Sequence, residues 1–233
     1  MNQNHITIMK IYHHIRVGAF TLLELLTVIS IMAILATIVF PGIGAAMTKA
    51  KMATAMANAR SIGQGLRSYA SDNAGLFPSG VNDYDEEIVS SNDAFRSLVP
   101  EYIDNEKVFS VGRSAWGSEA DGRIDDPSDI LRPGENHYGY VSGLTDTSRS
   151  NWPLVFDGTD GSGTYSETYG DKGGCWEGRR AVVAYVGGSA SVVKLEGGRG
   201  GVRYIPREGY PDENALNVEY MGKNATLLDP DEG

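Results

Sequence analysis

The sequence predicts an α+β protein: one long N-terminal helix, half membrane-spanning and half amphipathic, packed on a mainly antiparallel, turn-rich β domain. Three observations carry this. Residues 25–48 form an uncharged run of 24 residues. Apolar residues then recur at helical spacing as far as Tyr69. Of the 29 glycines, nearly all lie after residue 60, where they punctuate short aromatic and β-branched runs. The predicted layout is a cytoplasmic leader over 1–19, a transmembrane and assembly helix over 20–48, an amphipathic continuation over 49–75, and an extracytoplasmic β-rich domain over 76–233.

The uncharged run LLTVISIMAILATIVFPGIGAAMT would extend about 36 Å as a helix. That is enough to cross a hydrocarbon core of about 30 Å. Lys10 and Arg16 precede it with no acid before Glu24, whereas the remainder holds 18 basic and 29 acidic residues. Cations before the span and a long acidic part after it orient a single pass with the N-terminus in the cytoplasm. The run is longer than a signal-peptide core, and no A-x-A cleavage site precedes the lysines that follow it, so the helix is expected to be retained.

Glu24 stands at the mouth of this run. An ionised carboxylate in lipid costs on the order of a few kcal/mol unless it is partnered. No cation lies within helical reach on its C-terminal side, and Arg16 is too far upstream. A cut before Phe20 would create an α-ammonium four positions away, on the same chain or on a neighbour.

The stretch Gly18-Ala19-Phe20-Thr21-Leu22-Leu23-Glu24-Leu25-Leu26 resembles the cleavage and methylation motif of type IV pilins and type II secretion pseudopilins. The resemblance implies that a prepilin peptidase cuts at the cytoplasmic side and that Phe20 becomes the N-methylated mature terminus. It also implies that Glu24 neutralises the terminal amine of an adjacent subunit, and that Pro41 is the proline that interrupts the helix. Pro41 removes a backbone hydrogen bond and has Gly42 and Gly44 beside it, which favours a kink. One departure is that the family has glycine immediately before the cut, where this chain has Ala19. A cut after Gly18 would displace Glu24 by one position, so the Ala19/Phe20 bond is preferred. The leader is long for the family, and Met9 is an alternative start.

Beyond the span, Met52, Met56, Ala59, Ile62, Leu66 and Tyr69 mark one helix face, with Lys51, Asn58, Arg60, Gln64 and Arg67 elsewhere. Asp72, Asn73, Gly75 and Pro78 are stop signals. The phrase from Ser68 to Asn73 followed by Phe77-Pro78 also resembles the end of this helix in major pseudopilins. Residues 79–93 are expected as an exposed acidic loop, residues 94–102 as a short helix or turn, and residues 118–133 as a solvated insertion. Strands are expected at 137–142 and 152–156. Residues 180–195 read as a β-hairpin whose turn is Gly187-Gly188 with positive φ at both positions.

Catalytic and metal chemistry find few residues. His137 and Cys175 are the only His and Cys after the leader, so a Ser/His/Asp site or a zinc centre is not expected. No intramolecular disulfide can form, and both residues read as structural. The loop Asp157-Gly-Thr-Asp160-Gly-Ser-Gly offers oxygen ligands that would suit calcium, although its spacing is not that of an EF-hand; an ordinary turn is the competing reading. A net charge of −10 opposes binding to nucleic acid.

The expected function is a non-enzymatic structural subunit of a pilin-like filament in the bacterial inner membrane, with its C-terminal domain in the periplasm. A type II secretion pseudopilus is preferred to a surface pilus, because the helix end resembles major pseudopilins and no C-terminal cysteine pair is present. Expected partners are a prepilin peptidase, other copies or homologous pilin-like subunits, and membrane lipid. The alternative is a membrane-tethered extracytoplasmic binding module for a sugar, an ion or an exported protein.

Overall fold

A computed structural model describes residues 20–197 and 202–232, with backbone alone at 39–42. The chain forms two compact units, residues 1–46 and 47–233. Helix α1, Leu22–Asp72, begins in the first and ends in the second. The long N-terminal helix and the antiparallel sheet are both as expected from the sequence.

Within the second unit, Ala55, Ala59, Ile62, Leu66 and Tyr69 of α1 are buried, while Arg60, Gln64 and Arg67 are exposed. Covering a side chain the size of Ile62 or Leu66 contributes about 1.5–3 kcal/mol, so this face accounts for the helix better than propensity does. Two small residues let the sheet come close: Gly63 and Ala184 leave only van der Waals room for a Cβ, at 3.6 Å.

The sheet contains β1 (Tyr138–Ser142), β2 (Pro153–Asp157), β3 (Arg180–Tyr185), β4 (Ala190–Lys194) and β9 (Thr226–Leu228), in the order β4-β3-β2-β1-β9 and antiparallel throughout. Two-stranded ribbons β5–β6 (Glu196–Gly197 and Arg203–Tyr204) and β7–β8 (Pro206–Arg207 and Tyr210–Asn214) precede β9. β1 and β2 are buried along their whole length, which is why they read as continuous apolar and aromatic runs rather than alternating ones. The Tyr138 hydroxyl donates to the Ala55 carbonyl at 2.9 Å, tying β1 to α1.

Three expectations need correction. The β3–β4 turn is closed by Gly188 N–H to the Tyr185 carbonyl at 2.8 Å, and of the two glycines only Gly188 has positive φ, at 84°. The loop therefore has one more residue than a Gly-Gly turn, with left-handed Gly188 absorbing the bulge. The short helix α2 spans Ser91–Arg96, earlier than expected, because Ser90 and Asp93 form a capping box. Residues 79–93 and 118–133 are not wholly solvated: Ser91 and Asn92 are buried, donating to the carbonyls of Tyr138 and Leu131 at 2.7 and 2.9 Å, and Ile130 and Leu131 are buried in the core. Polar residues were placed outside by type, whereas here they satisfy backbone groups that the core would otherwise strand.

Candidate assembly face of the N-terminal helix

The first unit is defined by what does not cover it. Phe20, Leu22, Leu23, Leu25, Ile29 and Met32 are all more than half exposed, and Ile34, Leu35 and Ile38 continue the surface. Contiguous apolar exposure of this kind marks a surface for contact with protein or membrane. No single described helix is long and apolar enough to cross a membrane; Leu22–Ile38 and Ile43–Asp72 pass together, by length and composition, with a break between them. That break spans 39–42 and contains Pro41, although the backbone of α1 is helical from Leu22 to Asp72. Gly18 and Ala19 lie outside the described residues.

At the helix start, Thr21 and Glu24 interlock. Thr21 N–H and hydroxyl donate to Glu24 Oε2 at 2.9 and 2.8 Å, and Glu24 N–H donates to the Thr21 hydroxyl at 3.2 Å. With Leu22 the first helical residue, Thr21 is the N-cap and Glu24 the third position, the arrangement of a capping box. From the sequence, Glu24 is either an ion-pair partner or a carboxylate solvated at the membrane interface, and neither reading includes a cap. The pattern Thr-x-x-Glu ahead of an apolar run was the signal for the cap.

The proposed calcium candidates are placed apart by their partners. Asp157, the last residue of β2, is buried, and its Oδ2 accepts from Trp176 Nε1 at 2.6 Å and Val182 N–H at 2.7 Å. Loss of solvent pushes its carboxyl up to about 7, against the pull of those two donors. Asp160 stays in its own loop, accepting from Ser162 N–H at 3.0 Å and Thr164 N–H at 3.2 Å. The acids that do converge were missed: carboxylate oxygens of Glu106, Asp121 and Glu135 lie within 4.8 Å of one another. They are already engaged. Glu106 accepts from Gly122 and Leu131 N–H at 2.6 and 3.2 Å, and Glu135 from Arg132 N–H at 2.9 Å and its guanidinium at 3.1 Å. Asp121 also pairs with Arg132. No spacing rule joins residues so far apart in sequence.

His137 sits just before β1, buried, with Nδ1 accepting from Val111 N–H at 2.8 Å; burial lowers its pKa and keeps it neutral. Cys175 is buried, and desolvation raises its thiol to about 12, far from thiolate reactivity.

Comparison with protein-family models, curated proteins and solved structures returned no match.

Proposed function

We propose that this chain is a structural subunit of a pilin-like filament, a pseudopilus of type II protein secretion, rather than an enzyme. The observation that carries the proposal is the uncovered apolar helix with a lone acid, Glu24, at its first turn. A prepilin peptidase would remove the leader at the Ala19/Phe20 bond, leaving an N-methylated Phe20 in the inner membrane with the β-rich domain in the periplasm. Copies of the chain, or related subunits, then pack these helices against one another. In that setting each Glu24 meets the terminal ammonium of a neighbour, which removes the penalty of an unpaired charge in lipid.

Mass spectrometry of the protein extracted from membranes tests this directly. A mature chain starting at methylated Phe20 is the expected result. An intact terminus at Met1 or Met9 overturns the proposal.

A further inference from the structure

The β domain carries a solvent-accessible groove of about 680 Å³ that the assembly role does not use. It is framed by the segment entering β2, by the β3–β4 hairpin and by the β7–β8 ribbon. Its size falls in the range of ligand sites, roughly 300–1,000 Å³. Four aromatic side chains, Trp152, Tyr185, Tyr210 and Tyr220, form its apolar part. Trp152 and Tyr220 meet edge to face with ring centres 6.3 Å apart. The Arg207 guanidinium lies over both Tyr220 and Tyr210, 4.0 and 4.6 Å from their ring centres, and is anchored by Glu213 at 2.5 Å. These contacts fix three of the four rings, Trp152, Tyr210 and Tyr220, before any ligand arrives, which lowers the ordering cost of binding.

Polar groups are interleaved with the rings. Asn151 Nδ2 donates to Glu208 Oε2 at 2.8 Å, setting an amide and a carboxylate side by side in the wall. Arg149 lies 5.7 Å from the Trp152 ring centre and makes no ion pair among the described residues. Ser150 and Ser189 add to the lining.

We propose that this groove binds a carbohydrate chain, a run of hexopyranose units. A pyranose ring has C–H faces that pack on aromatic rings, and a rim of hydroxyls that each donate and accept. Fixed aromatics beside an amide, a carboxylate and a guanidinium match both requirements at once. A polyanion fits less well, because Arg207 is already neutralised by Glu213, Glu208 adds negative charge, and the chain as a whole carries −10. A lipid tail would strip water from Asn151, Glu208 and Arg149 without replacing their hydrogen bonds. A peptide cannot add as a strand at β3, which is paired with β2 and β4, and at the ribbon Pro206 in β7 and Pro211 in β8 lack the N–H that strand addition uses.

The test uses the full chain in phosphocholine micelles, which carry no sugar headgroup. Cellohexaose, chitohexaose, maltohexaose and mannohexaose are titrated by calorimetry, with an oligoproline peptide as the competing ligand. At least one hexaose is expected to bind. Tyr210→Ala and Glu208→Gln, both at the groove wall, should each weaken it about tenfold or more while the thermal melt stays unchanged. The proposal is overturned if none of the four sugars binds at about millimolar concentration, if neither substitution changes the affinity, or if the oligoproline alone binds. Failure here leaves the terminus found by mass spectrometry, and hence the filament proposal, untouched.

Discussion

Glu24 folds back on Thr21, its Oε2 taking both the Thr21 N–H at 2.9 Å and the Thr21 hydroxyl at 2.8 Å. The carboxylate therefore already has donors within its own chain and does not stand as a bare charge awaiting a neighbour. In the proposed filament it must serve a second group as well, and the two roles separate by substitution.

Glu24→Gln keeps the side-chain acceptor that a capping box needs but removes the charge. Membrane insertion and helix content should be unchanged, while assembly falls sharply, because unpairing a desolvated ion pair costs about 3–5 kcal/mol. Thr21→Val should do the reverse, fraying the first turn at about 1 kcal/mol with assembly retained. Cross-linking of subunits in membranes reads assembly, and circular dichroism reads the helix. Equal assembly by Glu24→Gln and wild type would refute the ion-pair role.

Asp157 sets a pH dependence of stability. Its folded pKa of about 7 lies above the ordinary value of about 3.9, so the native state holds a proton that the unfolded chain has released. Stability should fall as pH rises from about 4 to about 7 and level off above that. Asp157→Asn retains an acceptor for Trp176 and Val182 and removes the titration, so its melting temperature should vary less over that window and exceed wild type at pH 8. Chemical denaturation at several pH values checks the difference between the two chains. That comparison cancels the opposite contribution of neutral His137, whose protonation destabilises the fold at low pH.

Calcium is expected to leave the melting temperature unchanged. Asp157 faces the core, Asp160 serves its own loop, and Arg132 with backbone donors occupies the Glu106, Asp121 and Glu135 group. A rise of several degrees with millimolar calcium that Glu106→Gln abolishes would place an ion there instead.

Gly143 should tolerate no side chain. Its φ is 78°, and a Cβ would land inside van der Waals contact with the Asn224 carbonyl. Gly143→Ala is expected to destabilise by more than the ~1 kcal/mol of a conformational change alone, seen as a loss of soluble, protease-resistant domain. Leu66→Ala gives a scale for comparison, since emptying a buried leucine site costs about 2–5 kcal/mol.

Much of the frame was legible because it follows from periodicity. The stripe through Ile62, Leu66 and Tyr69 faces the sheet, and the runs around Tyr140, Val155 and Val183 are strands. The hairpin was found, but its turn was misjudged, since two adjacent glycines do not say which of them bends left. Asp157 was read as part of a loop because Asp-Gly signals a turn; only the fold shows that its carboxylate turns back to Trp176 and Val182. The Glu106 group and the groove around Trp152 were invisible for a different reason, since their members come from segments that only tertiary contacts bring together.

β9 enters the sheet beside β1, pairing Leu228 with Tyr140. Around it, Asp229 accepts from Thr159 N–H at 2.7 Å, and Asp231 N–H donates to Asn92 at 3.0 Å. Residues 226–231 thus bind segments far earlier in the sequence, with β9 forming one edge of the sheet. Contacts of such long sequence separation carry a high loop-closure cost, so this side of the domain is expected to be among the last to form.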